Sequence, residues 1–321
     1  MNAPSLQRFI AATYRNPALP RVYCLGDSWF QLLMAAALGI VFTHAAFLAH
    51  EASHRTILSS GPANDALGRW LSTLVVGVSH QWWVNKHNRH HANPNTVGKD
   101  PDIERDTISF VESDAATAKG FVKWITKRQG WLFFPLLTLE GLNLHQHSIV
   151  SLLRYGTRKQ KWVELSLIAA HFALYLVPLA LFFPWYLALA FVGVQMAVFG
   201  VYMGASFAPN HKGMALLDPS EKVDFLTKQV LTSRNIKGGW FMSIFMGGLN
   251  YQIEHHLFPS MARPQLPKAR QIVKEYCESI GLAYTETSLV ESYGIVIAYL
   301  NRVGLAARDP FDCPERVALG R

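Results

Sequence analysis

Residues 163–207 read VELSLIAAHFALYLVPLALFFPWYLALAFVGVQMAVFGVYMGASF, two apolar runs that meet at Pro184. Each approaches or exceeds the ~20 residues a helix needs to cross a bilayer. A connection this short makes them an antiparallel helical hairpin. No Lys or Arg lies near the turn, whereas Arg154, Arg158, Lys159 and Lys161 precede the first run and Lys212 follows the second. Positive residues mark the cytoplasmic side, so the tip points away from the cytoplasm and both outer ends face it. A third run, WFQLLMAAALGIVFTHAAFLA, fills residues 29–49. Residues 67–84 contain Ser79, His80 and Gln81 and read as a re-entrant or interfacial stretch. Residues 132–153, interrupted by Glu140, Asn143, His145, Gln146 and His147, read as an amphipathic surface helix.

The composition agrees. Half of the 321 residues are hydrophobic and only 16% are charged, too apolar for an average soluble domain. The net charge of +8 is not gathered into a basic stripe interleaved with aromatics, which excludes a nucleic-acid partner; it fits cytoplasmic loops. Cys24, Cys277 and Cys313 form no CxxC pair, so neither a disulfide framework nor a thiolate zinc site is expected, and the compartment is reducing. The first 25 residues carry Arg8, Arg15 and Arg21 and no apolar signal-peptide core. The chain reads as one domain, 1–321, with a core over about 25–260 and a soluble helical tail over 261–321. Pro259, Pro264 and Pro267 punctuate the junction, and helices are expected near 268–280 and 288–302.

Four histidine clusters carry the chemistry. His50 and His54 in HEASH stand at i and i+4, on one helical face. HNRHH adds His87, His90 and His91; His211 stands alone after the hairpin; QIEHH supplies His255 and His256, with Gln252 where a further histidine could stand. A hairpin that returns to its starting side lets all eight meet at one membrane face. Eight imidazoles exceed the ligand shell of one ion and suit two transition-metal ions. Redox need favours iron, because two irons can reduce O2 and oxidise an unactivated C–H bond.

HEASH, HNRHH and QIEHHLFP, with WWVNKHNRHHANPN, GKDPDI and FAPNHKGM around them, resemble the histidine boxes of the membrane fatty-acid desaturase superfamily over roughly residues 25–259. The glutamine in the last box is similar to the acyl-lipid and linoleoyl-CoA-type branch. The resemblance implies an all-α integral membrane protein: a transmembrane stem, the hairpin plus at least one more span, under a cytosolic cap that holds a di-iron site. It implies His50, His54, His87, His90, His91, His211, His255 and His256 as ligands to two iron ions, O2 as co-substrate and a fatty-acyl substrate carried by CoA, lipid or carrier protein. No HPGG or GxGxxG motif is present, so electrons are expected from a separate ferredoxin, cytochrome or flavoprotein reductase. Phe207 stands where the stearoyl-CoA branch has an asparagine, and Asn210 lies beside His211. Glu51, Gln252, Asn210 and Asp100 are candidates to orient ligands, with an Asp-Pro-Asp turn open as the alternative for Asp100 and Asp102.

Other readings remain. Within the superfamily the same scaffold can serve a hydroxylase, ketolase or acetylenase. Outside it, HEASH matches the HExxH of an intramembrane zinc metalloprotease, with Glu51 as base, and a histidine-rich mouth suits a metal transporter. The protease leaves His87, His90, His91, His255 and His256 unexplained, and a transporter should carry polar residues inside its spans, where the hairpin has only His171 and Gln195. His44 and His171 read as structural, while His80, His145 and His147 stay open. Trp82, Trp83, Trp131 and Trp240 read as interfacial, Trp83 and Trp240 being those able to line an acyl tunnel. Three crossings and three N-terminal arginines conflict: either the start lies downstream of the true one, which is preferred, or the N-terminal segment lies along the membrane.

Overall fold

A computed structural model of the protein describes residues 28–308. Arg8, Arg15, Arg21, Cys24 and Cys313, and with them the N-terminal question, lie outside the described residues. The first helix, α1 (Ser28–Ser53), runs through the predicted apolar stretch and ends one turn beyond it, so His50 lies on its last turn. The chain then turns back through α2 (Gly61–Arg69) and a π-helical turn at Trp70–Val75. It starts α3 (His80–Ala92) at Ser79, whose hydroxyl accepts from the Trp82 N–H. The 67–84 stretch is therefore a fold-back and is not among the candidate membrane spans.

The free carbonyls at this fold-back are met by His171, read from the sequence as structural, and by His145, which the sequence leaves open. His145 reaches the Val76 carbonyl from Nε2 at 3.0 Å, and His171 reaches the Leu74 carbonyl from Nδ1 at 3.0 Å. Glu164, buried although it begins an apolar run, accepts from the Gln81 N–H at 3.2 Å. Backbone polar groups away from water need such partners.

Short helices α4 (Glu112–Ala116), α5 (Gly120–Thr126) and α6 (Gln129–Leu136) lead to α7 (Glu140–Tyr155). The single surface helix expected over 132–153 is instead broken, with a 3-10 turn at Leu137–Leu139 following Pro135. Its second half also packs tightly: a Cβ on Gly141 would stand 2.8 Å from the Met196 carbonyl. The hairpin is α8 (Arg158–Phe182) and α9 (Trp185–His211). Together with α1 these are the three described helices long and apolar enough to span a membrane. The pair touches mainly near its tip. Farther on, α9 packs on α1, where Gly39 admits the Gln195 carbonyl (2.8 Å from an added Cβ), while α8 packs on the π-helical turn. Glycine at such crossings lets apolar helices approach closely.

The rest is cap. It comprises α10 (Phe225–Leu231), α11 (Gly239–Phe245), α12 (Gln252–Leu257), α13 (Leu266–Ser279) and α14 (Leu289–Leu305). The last two helices fall where expected, but they do not form a detached tail. Val273 and Cys277 of α13 pack with Val230, Ile253 and Leu257, and Val296, Leu300 and Val303 of α14 pack with Phe133, Leu137 and Ala208. A two-residue parallel pairing, Asn235–Ile236 with Glu286–Thr287, is a small exception to the all-helical expectation.

Candidate metal centre

The eight histidines fall into two groups. His50 and His54 at the end of α1, His87 and His91 on α3 and His255 on α12 form the first; His90, His211 and His256 form the second. Within each group the candidate ligand atoms all lie within 4.8 Å of one another. Helical periodicity makes the division. His87 and His91 share a face of α3, and His90 is turned round the helix towards the end of α9. The Nε2 of His87 lies 2.9 Å from that of His50, 2.8 Å from that of His54 and 3.0 Å from that of His91. In the second group the Nε2 atoms of His90 and His211 are 3.3 Å apart. The ring of His91 stacks on that of His256 at 4.2 Å, joining the groups.

Which nitrogen faces inward follows from what holds the other. His90 donates from Nδ1 to Asp100, His211 from Nδ1 to the Thr232 carbonyl at 2.9 Å, and His256 from Nδ1 to Gln229 Oε1 at 3.0 Å. A histidine that donates from Nδ1 keeps the Nε2 lone pair free for a metal. The Nε2 atoms of His255 and His256 are buried without a protein partner, an expensive state unless something binds them. Burial holds His87, His91, His255 and His256 well below the ordinary histidine range and brings His54 down to about 4. These imidazoles are neutral at pH 7. For His90, burial opposes protonation, but Asp102 and Asp100 outweigh it and carry the group upward. The donor set therefore fits transition-metal ions: converging buried imidazoles, three of which, His90, His211 and His256, have anchored outer nitrogens.

The candidates for orienting ligands divide. Asp100 does so directly, and it also accepts from the Asn95 and Asp102 N–H groups at 2.7 and 2.9 Å, so the ligand-holding and turn roles coincide. The Gln252 amide nitrogen lies 2.9 Å from His211 Nε2, at the position a metal on His211 would take, so a bound metal would displace this contact; the Gln252 carbonyl accepts from Asn210 at 3.1 Å, and Asn210 thus acts through Gln252. Glu51 does not reach an imidazole. It pairs with Arg263 at 3.2 Å, because the register that aims His50 and His54 inward turns Glu51 towards the chain after α12. Glu51 still lines the same small pocket as His50, His54 and His255. Gln229 and Thr232 escape sequence reading, since only the placement of α10 and its end brings them to the rings; Asp102, offered by the sequence beside Asp100, lies 3.4 Å from His90 Nδ1. Asp102 is further tied to Lys86, and its carbonyl accepts from Lys212 Nζ.

Beside the first group lies an apolar cavity of about 30 Å³, lined by Ala46, Ala49, Val78, Trp83, Met203 and Phe207 among others. Trp83 stacks on His87 at 5.1 Å, and Phe207 meets His50 edge-on at 6.3 Å. Of the two tryptophans that could line a tunnel, Trp83 lines this cavity, whereas Trp240 is 78% exposed and turned outward. Trp131 is also exposed, and Trp82 packs on the core, against the interfacial reading. His44 is half-buried and meets the Tyr202 hydroxyl at 3.3 Å; His147 is exposed, and His80 is buried at the start of α3.

Apolar spans capped by two converging histidine groups define a membrane protein with a candidate metal centre. The chain belongs to the fatty acid desaturase family, whose sequence profile matches residues 27–288. It is 26% identical to a Delta(8)-fatty-acid desaturase of Arabidopsis thaliana (88% of this chain, 65% of the relative). It is 28% identical to a Delta(6)-fatty-acid desaturase of Caenorhabditis elegans (86% and 65%) and 30% identical to an acyl-lipid (8-3)-desaturase of Rebecca salina (84% and 64%). The chain thus spans just under two thirds of the length of these relatives.

Proposed function

We propose that the protein introduces a C=C bond into a fatty-acyl chain, at two iron ions held by His50, His54, His87, His91 and His255 and by His90, His211 and His256. The observation that carries this is the pairing of converging imidazoles with an apolar cavity walled by Trp83 and Phe207. When bound, the irons supply O2 reduction and the oxidant for an unactivated C–H bond. The balance is one O2, two electrons and two protons for two hydrogens removed from adjacent carbons, with two waters formed. The protein's own residues position the chain. Trp83 and Phe207 present flat apolar walls that seat methylenes beside His50 and His87 and exclude water. Asp100, Thr232 and Gln229 fix the outer nitrogens, so ring orientation does not change between turnovers.

Electrons come from a separate donor, and the histidine face is cytoplasmic, as the lysines and arginines flanking the hairpin support. The relatives carry names with different double-bond positions, so position and acyl carrier are left to measurement. Lipid analysis of a host expressing the chain, beside a His90→Ala/His91→Ala control, tests the reading. A new unsaturated acyl species that disappears in the control supports it; a hydroxy or keto product, or no change in the lipids, overturns it.

A further inference from the structure

The segment Gly238–Gly248 leaves the core and returns to it through glycines with positive φ at both ends: Gly238 at 146° and Gly239 at 58°, then Gly247 at 58° and Gly248 at 87°. Side chains other than glycine rarely adopt these angles, so the chain makes sharp turns out and back. Between them lies α11, none of whose residues is buried. Its inner face, Met242 and Phe245, leans on the core, and the following Met246 is fully buried. Its other face presents Trp240, Phe241 and Ile244, which are 78%, 67% and 43% exposed. At i, i+1 and i+4 these three side chains share one side of the helix.

The position of α11 identifies what covers that face. The Tyr202 hydroxyl donates to the Phe245 carbonyl at 2.7 Å, and Gly247 rests against the ring of Phe47. Phe47 lies three residues before His50 on α1, and Tyr202 lies nine before His211 on α9, roughly 13 Å down the helix axis. The helix is thus held against the flanks of two candidate spans, below their histidine-bearing ends. No Asp or Glu occurs between residues 237 and 252, and exposed Lys237 stands beside the first glycine pair. A cationic residue flanking an outward aromatic face matches the boundary between lipid headgroups and acyl chains.

We propose that α11 is a monotopic element immersed in the bilayer, with Trp240, Phe241 and Ile244 covered by lipid acyl chains. The partner is the lipid itself, and the inference stands whether or not the chain desaturates anything. Its return turn matters to the centre, because Gly247, Gly248 and Leu249 line the pocket that opens onto His50, His54 and His255. The membrane surface therefore forms one edge of that opening.

A nitroxide attached at Phe241→Cys, with Cys24→Ser and Cys313→Ser and with Cys277 left buried, reads the environment in phosphatidylcholine vesicles. Lys222→Cys, on an exposed loop, is the aqueous reference. The ratio of oxygen to nickel-chelate accessibility at 241 is expected to exceed the reference several-fold. A ratio equal to the reference, or low accessibility to both reagents, as a second copy or another protein covering the face would give, overturns the proposal. A second measurement guards against a label that disturbs packing. Brominated phosphatidylcholine should quench the fluorescence of the unlabelled protein, and Trp240→Phe should lose part of that quenching; equal quenching of both proteins contradicts immersion.

Discussion

His90 donates from Nδ1 to both carboxylate oxygens of Asp100, at 3.0 and 3.1 Å, while its Nε2 faces that of His211 at 3.3 Å. One fully buried carboxylate thus fixes the tautomer and tilt of an imidazole at the centre. Asp100 is itself held by two backbone N–H groups, so its position is set by the 93–103 loop.

Asp100→Asn keeps the shape of this contact and removes its charge. Losing such an outer partner typically weakens metal binding by about 10- to 100-fold. The expected outcome is selective loss of metal from the His90, His211 and His256 group, with the circular dichroism spectrum retained. Iron per chain after dialysis against graded chelator measures it.

Arg234 is buried, and among the described residues no carboxylate forms an ion pair with it. Its guanidinium donates to the Pro209 carbonyl, to the Lys212 carbonyl at 3.0 Å and towards Met214. These are the free carbonyls at the end of α9, on either side of His211, and a cation there also opposes the helix dipole. Arg234→Met leaves them without this donor, and a loss of about 3 kcal/mol is expected from two charged hydrogen bonds. Arg234→Lys recovers only part of it, because an ammonium cannot reproduce the planar fork. Thermal unfolding in detergent checks both.

The boxes and the hairpin were legible because their signals are local: i, i+4 spacing and uninterrupted hydropathy. Residues 50, 54, 87 and 91 share faces for that reason alone. The anchoring partners were not legible. Gln229 lies 27 residues from His256 and Thr232 lies 21 from His211, and nothing in their own neighbourhood marks them. Glu51 misled for the opposite reason: its local motif suggested an imidazole, and a tertiary contact with Arg263 decided its role. Trp240 lies close to a box in sequence, yet the glycine turns carry it outward.

His80 gives a pH dependence with a defined sign. Burial first, and then the charge of Arg69, lowers it from 6.5 to about 4 despite Asp65. A histidine depressed in the folded state contributes stability above the unfolded value. That stability is lost as pH falls from about 6.5 to about 4, and the shift corresponds to about 3 kcal/mol. His80→Leu is expected to flatten the fall in unfolding midpoint between pH 7 and pH 4 relative to the parent. Denaturation at matched detergent and metal content measures the difference.

Removing metal should also destabilise the cap, since the inward nitrogens of His255 and His256 are then left unpaired in a buried site. A ligand present at 100 times its dissociation constant adds about 2.7 kcal/mol to the folded state. Chelation is therefore expected to lower the melting temperature by several degrees, with restoration on adding ferrous ion.

The central claim is two irons on eight named histidines. Metal analysis of the purified chain, beside His255→Ala and His211→Ala, tests it most directly. The account predicts two irons per chain in the parent, with the first variant depleting the five-histidine group and the second depleting the three-histidine group. A single zinc per chain, lost with His54→Ala but unaffected by His211→Ala, would contradict it.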